Sequence, residues 1–544
     1  LTRGAVGAQP TDQVTAPEQA MVWGLGATAR QEHPERWGGV IDLPGEPDPR
    51  ALTRLVALLS GATGEDEAAI RASAALTRRL VPAPQAERPE GWKPTGTVLV
   101  TGGTGALGGH VARHLAALGA PHLLLTGRRG PHAPGARELA DELAALGARV
   151  TVAACDLGDR TELAELLRRV PAEYPLTAVV HTAAAVDDAL LSSLTLPQLQ
   201  RSLRVKAQAA RNLDELTRDL PLEAFVLFSS FAGVTADAGQ GGYAPGNAYL
   251  DALALRRRAL GLPALSVGWG HWAGGSGLEG GEVIASRLHR FAMESMDPRR
   301  AVRALERAVG SDSGHLVVAD VDFTRLDADP AGVRANRLFL GLPGYRAALR
   351  PAPGQEAAGT DPAETGTGFR DRVAATAPAE RTAVVLDLVL RQLAAVLGHA
   401  DPDEISPTRL FRELGIDSLT AVEFRNRLGA ATGLRLPVGV VFDHPTPQAV
   451  AAHVVTELDV DDEASSASPA AEDELDRLEA VLDRLDGPAS AAVAARLRTL
   501  LTRLPDAPAA DGGGNGDGAD PGDALASATS AEEVLGFIQE RFGR

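Results

Sequence analysis

Between residues 95 and 270 short apolar runs alternate with longer stretches whose apolar residues recur every three or four positions. The runs TVLV, HLLL, RVTVAA, LTAVV, FVLF and LSVGW have the length and residue types of buried parallel strands, and segments such as GHVARHLAALG suit amphipathic helices packed on a sheet. An α/β unit over residues 95–349 follows from this pattern. Residues 1–90 repeat it more weakly, with a short strand signal, an MVWGLGATARQEHPERWGGVIDLP stretch and an Ala/Leu helix from Arg50 to Ser60, and read as a small helper α/β unit. A Pro/Glu linker from Val81 to Pro94 joins the two.

Past Leu349 the pattern changes. Residues 350–377 are rich in Pro, Gly, Ala and Thr without periodicity, as a flexible tether would be. Residues 378–458 are acidic and wholly helical, and Leu419, Val422, Phe424 and Leu428 face a small bundle. After a second linker, 459–471, residues 472–544 carry Leu475, Leu478, Leu482 and Leu485 on one heptad-like stripe and Val493, Leu497, Leu500 and Leu504 on another. Helices this short cannot bury a core alone, so they predict self-association. A slack segment, 505–529, leads to a last helix that opens on a Ser530 to Glu533 capping box and carries Val534, Leu535, Ile538 and Phe542 on one face. Frayed terminal helices are the plain alternative.

At 544 residues the chain is too long for one ordinary domain and predicts three or four units. A net charge of -18 with no basic block argues against nucleic acid or an anionic membrane surface as partner. The single Cys155 excludes an intrachain disulfide framework and fits a reducing cytoplasm. No apolar run reaches the ~20 residues of a membrane span, and no signal peptide opens the chain. It begins on Leu1 instead of methionine, which predicts an excised or processed piece of something longer.

Chemistry enters at the glycine-rich turn Gly102, Gly103, Thr104, Gly105, Ala106, Leu107, Gly108, which lies between a strand and a helix. Gly102, Gly105 and Gly108 permit a tight turn and close backbone approach to a pyrophosphate at the positive helix N-terminus. Glycine turns also close ordinary loops, but the strand before and the helix after favour a dinucleotide site. The next strand ends in Arg128 and Arg129, where a site for NAD carries an acid for the ribose 2′-hydroxyl. Two guanidinium groups favour a 2′-phosphate and hence NADPH, the alternative being exposed loop arginines. The FVLF strand ends in two serines, the second being Ser230, at the carboxyl edge where open α/β sheets bind ligands. Tyr243 and Asn247 follow a glycine-rich loop and share one face of a helix whose Leu250, Leu253 and Leu255 suit packing on the sheet.

The spacing of Ser230, Tyr243 and Asn247 resembles the ketoreductase branch of the short-chain dehydrogenase/reductases, which have a Rossmann-like α/β fold and a catalytic lysine upstream of the tyrosine. The matching residue is Lys206, which with Lys93 makes up all the lysine in the chain. A compact ammonium is not mimicked by arginine, although a solvated helix-face lysine is the plain alternative. The resemblance implies that Tyr243 donates a proton, Ser230 holds the carbonyl oxygen, Lys206 lowers the tyrosine pKa, and Asn247 orders the site and its water. It implies adenine contacts from Asp156 and its neighbour Leu157, and a partial structural subdomain without cofactor in residues 1–90. Ala184 departs from the family, which has glycine there beside the nicotinamide. Val186, Asp187 and Asp188 resemble the Leu-Asp-Asp fingerprint of B-type polyketide ketoreductases with valine for leucine, while Thr235 stands in the place of the A-type tryptophan. Pro245 resembles a B-type subgroup that also acts on α-epimerised substrates. Asp187 and Asp188 also suit a helix N-cap, and Pro245 an ordinary first helical turn. Trp269 and Trp272 divide evenly between acyl-chain contacts and core aromatics.

Asp417, Ser418 and Leu419 match the acyl carrier protein signature, and the match continues through VFDHPTPQAVAAHV. It implies a phosphopantetheine arm on Ser418 at a helix start, with a simple N-cap serine as the alternative. Residues 472–544 resemble a C-terminal docking domain of paired dimerising helices. Reductase, all-α four-helix carrier and docking segment in this order resemble the C-terminal end of a modular type I polyketide synthase. Such a chain reduces a β-ketoacyl thioester tethered on Ser418 to a D-configured alcohol. The partners implied are upstream ketosynthase and acyltransferase domains of the same polypeptide, a phosphopantetheinyl transferase, a second copy in a homodimer, and the N-terminal docking segment of the next synthase. No metal is implied. The competing reading is a catalytically dead reductase kept as a scaffold between carrier and docking segments.

Overall fold

A computed structural model describes residues 1–466 except 10, 35, 62, 84–91, 275–287, 289–291, 324–336, 349–365, 398–400, 417, 435 and 438. Asp417 and the stripes and terminal helix expected in 472–544 lie outside the described residues. The described residues fall into two compact units, 1–348 and 366–466.

The first unit opens with β1 (Thr2–Arg3), α1 (Ala20–Glu32), β2 (Val40–Leu43), α2 (Pro49–Leu59), β3 (Glu67–Ile70) and β4 (Ala75–Thr77). These strands make a sheet in the order β1-β2-β3-β4, the helper unit expected of residues 1–90. Helix α2 starts where it does because the Asp48 side chain accepts from the Ala51 amide at 2.7 Å and proline fills the first turn.

Next come β5 (Thr97–Thr101), α3 (Ala106–Ala117), β6 (His122–Gly127), α4 (Ala136–Ala145), β7 (Arg149–Ala154), α5 (Arg160–Arg168), β8 (Leu176–His181), α6 (Leu196–Leu203), α7 (Ala209–Thr217), β9 (Ala224–Ser230), α8 (Ala244–Ala259), β10 (Leu265–Trp269), β11 (Met293–Glu294), α9 (Pro298–Val309), β12 (His315–Val318) and β13 (Asp320–Val321). Seven of these strands form a parallel sheet in the order β12-β10-β9-β8-β5-β6-β7, and β11 pairs with β13 in a small antiparallel ribbon. Alternate side chains of one strand enter different cores. Val98 and Val100 of β5 meet Leu123, Phe228 and helices α3, α4 and α9, whereas Leu99 meets Val179, Leu227 and helices α5, α7 and α8. Burial on both faces is why these strands read as continuous apolar runs. Chain order reverses between β5 and β8, so their carboxyl ends flank the switch-point crevice where such sheets take ligands.

One open alternative closes here. Trp269 and Trp272 are core aromatics, 4% and 3% exposed, packed edge to face at 5.0 Å and against Phe228. Pro245 lies in the first turn of α8. That helix is fastened from below by Arg257, whose guanidinium pairs with Asp214 of α7 at 2.6 Å and lies 4.0 Å from the Phe225 ring centroid. Removing one partner of such a buried pair typically costs about 3–5 kcal/mol.

The second unit is helical: Gly366–Ala375, Pro378–Leu397, Ser418–Thr432, Val440–Asp443 and Pro447–Ser466. Val385, Val389, Leu393, Phe424, Leu428, Val450 and Val454 make its core. Two expected linkers are corrected. Part of 350–377 is the helix Gly366–Ala375, because Phe369 and Val373, one turn apart, are buried at 1% and 2% in that core. The bundle thereby gains a helix beyond the four expected, and its last helix runs on to Ser466, into the linker expected at 459–471.

Candidate active site

The glycine turn has the geometry that close approach demands. Gly102 has φ +66°, and its amide carbonyl accepts from the Gly105 amide at 2.9 Å. A Cβ on Gly108 would sit 2.3 Å from the Gly102 oxygen and 2.7 Å from the Gly103 Cα, so only glycine lets α3 start against the turn. The Gly108→Val variant is therefore expected to weaken dinucleotide binding at least about tenfold, or 1.4 kcal/mol, in a calorimetric titration. Unchanged affinity would place the cofactor elsewhere.

Arg128 and Arg129 are exposed just beyond β6. Asp156, past β7, is already engaged: its carboxylate accepts from Arg204 Nη2 at 2.8 Å and from the Gly158 amide at 2.9 Å. Arg204 is the main reason that this carboxyl stays below the usual range. Leu157 is buried in the sheet core.

Tyr243 occupies the N-cap position of α8, and its amide donates to the Gln240 carbonyl at 2.9 Å. Asn247, fully buried one turn on, donates from Nδ2 to the Tyr243 carbonyl at 2.9 Å. Ser230 ends β9, and Ser230 and Asn247 both lie near enough to the Tyr243 hydroxyl to pull its pKa down. Ser229 turns the other way, donating to the Asn247 carbonyl at 3.3 Å. Of the paired serines, Ser230 is thus the one at the phenol.

Lys206 sits in a single π-helical turn, Arg204–Gln208, between α6 and α7. It is 2% exposed, its Nζ donates to the Phe228 carbonyl at 2.6 Å, and Nζ lies 5.6 Å from the Tyr243 ring centroid. Burial pushes its pKa down to about 7, with Asp251 opposing. The solvated-lysine alternative is excluded. Burial raises the Tyr243 pKa, and the nearby Ser230 and Asn247 side chains only partly offset that. The Lys206 amine is bonded to the strand carbonyl with the Tyr243 ring beside it.

The carboxyl ends of β5 and β8 are tied by His181, whose Nδ1 lies 2.7 Å from the Thr101 hydroxyl. Burial and the neighbouring Lys206 hold its pKa at about 3, so it stays neutral. Ala184 and Val186 are exposed on the loop that follows. Asp187 does not cap a helix: its carboxylate accepts from Gln198 Nε2 at 3.1 Å and pairs with Arg201, while Thr195 is the N-cap of α6. Asp188 acts on Tyr243 by raising its pKa. Sequence reasoning missed Arg204 and His181, whose partners lie 48 and 80 positions away, and Gln198, which meets Asp187 only because the loop folds back on the start of α6.

Among the described residues no helix is long and apolar enough to cross a membrane, and no cluster of metal-ligating side chains occurs. Residues 1–80 match the Rossmann fold domain of the polyketide synthase extender module SpnB, residues 96–274 the KR domain, and residues 387–454 the phosphopantetheine attachment site. Polyketide synthase GfsA of Streptomyces halstedii is 48% identical over 469 residues, covering 84% of this chain and 6% of that protein. Pikromycin polyketide synthase component PikAIII of Streptomyces venezuelae is 49% identical over 459 residues, covering 84% of this chain and 29% of that protein. The chain thus spans less than a third of the length of these relatives. Among solved structures, A-type ketoreductases from a modular polyketide synthase superpose with a TM-score of 0.61 at 49% identity, over 64% of this chain and 74% of that one. The parallel sheet with its glycine turn and the helical unit that follows are those of one lineage, and the chain belongs to the modular polyketide synthases, as a ketoreductase joined to a carrier domain with a phosphopantetheine attachment site.

Proposed function

We propose that the chain uses NADPH to reduce the β-carbonyl of an acyl thioester carried on Ser418, giving a D-configured alcohol, with Tyr243, Ser230, Lys206 and Asn247 as the catalytic set. The observation that carries this reading is the gathering around Tyr243 of Ser230 at the carboxyl end of β9, Asn247 one turn into α8 and bonded to the Tyr243 carbonyl at 2.9 Å, and Lys206 Nζ at 5.6 Å from the ring. The residues present fit the cofactor: the turn that a Cβ on Gly108 would fill opens onto the N-terminus of α3, and Arg128 and Arg129 offer exposed cations beyond β6. When bound, NADPH supplies hydride to the carbonyl carbon. Ser230 and Tyr243 hold the carbonyl oxygen, and the Tyr243 hydroxyl gives it a proton as charge develops there. Lys206, with a pKa of about 7, stabilises the phenolate left behind in its charged form. Ala184 is exposed on the loop after β8, and the scaffold reading attached to it is the alternative that the reduction assay decides.

The finer reading rests on the Val186 to Asp188 loop. Asp187, held by Gln198 and Arg201, fixes that loop beside the crevice, and a fixed loop closes one of two entry routes to the carbonyl. About 1.4 kcal/mol between the routes gives tenfold selectivity. Incubating the chain with NADPH and a racemic α-methyl-β-keto thioester deuterated at the α-carbon is expected to yield the D-alcohol on chiral chromatography. An L-alcohol refutes the B-type assignment, and full retention of deuterium refutes α-epimerisation, the reading attached to Pro245. The docking segment, the homodimer, the phosphopantetheinyl transferase and the neighbouring synthase domains are proposed on resemblance alone, with residues 95–349 as reductase and 378–458 as carrier.

A further inference from the structure

The catalytic loops are braced by helix α1 of the helper unit. At its middle, a Cβ on Gly24 would lie 2.5 Å from the Ala244 carbonyl oxygen and 2.8 Å from the Pro245 nitrogen, so α1 lies directly against the first turn of the helix that presents Tyr243. At its end stands Glu32, 2% exposed. A buried carboxylate at the negative end of a helix is costly unless both oxygens find donors. Both do: Oε2 accepts from the Leu191 amide at 2.7 Å and Oε1 from the Gly239 amide at 2.9 Å. Burial still holds this carboxyl above the usual range, against the pull of those two bonds.

The two amides belong to different parts of the site. Leu191 continues the loop that carries Val186, Asp187 and Asp188, and Gly239 begins the approach to Tyr243. The loops also meet directly, because the Ala189 amide donates to the Gly239 carbonyl at 2.9 Å and Ala189 bridges Gln240. The Gln240 carbonyl then accepts from the Tyr243 and Ala244 amides at 2.9 and 2.8 Å.

We propose that Glu32 is a positioning residue of the reductase, its carboxylate pinning the loop of Val186 to Asp188 against the approach to Tyr243 and so fixing which carbonyl face meets the hydride. This rests on the reductase reading above. Glutamine has the same size but one acceptor oxygen, so Glu32→Gln leaves one of the two amides facing an NH2 group. Asp42→Asn is the matched control. Asp42 is fully buried in the same helper unit, accepts from the Thr2 hydroxyl and the Ala5 amide, and pairs with Arg71, all away from the catalytic loops.

The test compares the full-length wild type, Glu32→Gln and Asp42→Asn in product isomer ratio with the α-methyl-β-keto thioester and NADPH, in kcat and KM, in melting temperature, and in amide hydrogen exchange of peptides containing Leu191 and Gly239. Glu32→Gln is expected to shift the isomer ratio at least fivefold and to speed exchange at both loops. Asp42→Asn is expected to lower the melting temperature and keep the wild-type ratio. A wild-type ratio in Glu32→Gln overturns the proposal, and so does an equal shift in Asp42→Asn, which would mark a general loss of stability. Should the wild type give no alcohol, the reductase reading falls, and unchanged exchange in Glu32→Gln would then overturn the clamp independently.

Discussion

Tyr243→Phe is expected to lower the rate of β-keto thioester reduction by about 10³-fold, within the range of about 10²–10⁴ for losing a positioned general acid. The phenyl ring keeps its place at the start of α8, where its backbone amide bonds Gln240 and its carbonyl bonds Asn247, so the lesion is confined to one hydroxyl. Ser230 and Asn247 stand beside that hydroxyl, and burial raises its pKa, which favours the protonated phenol. Ser230 still holds the carbonyl oxygen in the variant, but a serine hydroxyl is a far weaker acid, and the charge developing on oxygen goes unquenched. The measurement is the decay of cofactor absorbance under saturating thioester, with a thermal melt to show that the fold survives. Equal slow rates in wild type and variant would mean that the chain is the dead scaffold.

Features written in adjacent residues were legible in the sequence, and features made by distant pairs were not. Gly102 to Gly108 could be read because strand, turn and helix follow one another, and Ser230, Tyr243 and Asn247 because strand end and helix start follow one another. The glycine turn and Tyr243 therefore stand at the strand end and helix start where the pattern puts them. Lys206 stands out in the sequence, but its burial depends on a π turn that has no periodicity of its own, so its bond to the Phe228 carbonyl is not legible there. Arg204 reaches Asp156 across 48 positions, and Glu32 reaches Leu191 and Gly239 across 159 and 207. No local pattern encodes such pairs. The helix Gly366–Ala375 was taken for linker because its neighbours are Pro, Gly and Thr; Phe369 and Val373 make it helical by packing on the bundle, a tertiary effect that overrides weak local propensity. In the sequence Trp269 and Trp272 suit substrate or core equally; their packing on each other and on Phe228 of the neighbouring strand makes them core.

Ser418→Ala is expected to abolish loading of the carrier completely. In the second unit the chain leaves the core at Ile416, which is 8% exposed and whose amide is held by the Phe411 carbonyl at 2.9 Å, after Gly415 has turned it at φ +90°. The helix Ser418–Thr432 starts two residues later, and Phe424 and Leu428 farther along it, both fully buried, fasten it to the bundle. Residue 418 is thus the first of a helix held in place by its later turns, where the helix dipole favours a phosphodiester and where truncation to alanine leaves the core intact. With coenzyme A and a phosphopantetheinyl transferase, intact-mass spectrometry should find one arm on the wild type and none on Ser418→Ala. A serine that merely caps the helix predicts otherwise: alanine would cost about 1 kcal/mol of stability, visible as a lower melting temperature, while the wild type itself would take no arm. An arm retained by the alanine variant would place the attachment on another hydroxyl and separate the carrier from the Asp417-Ser418-Leu419 signature.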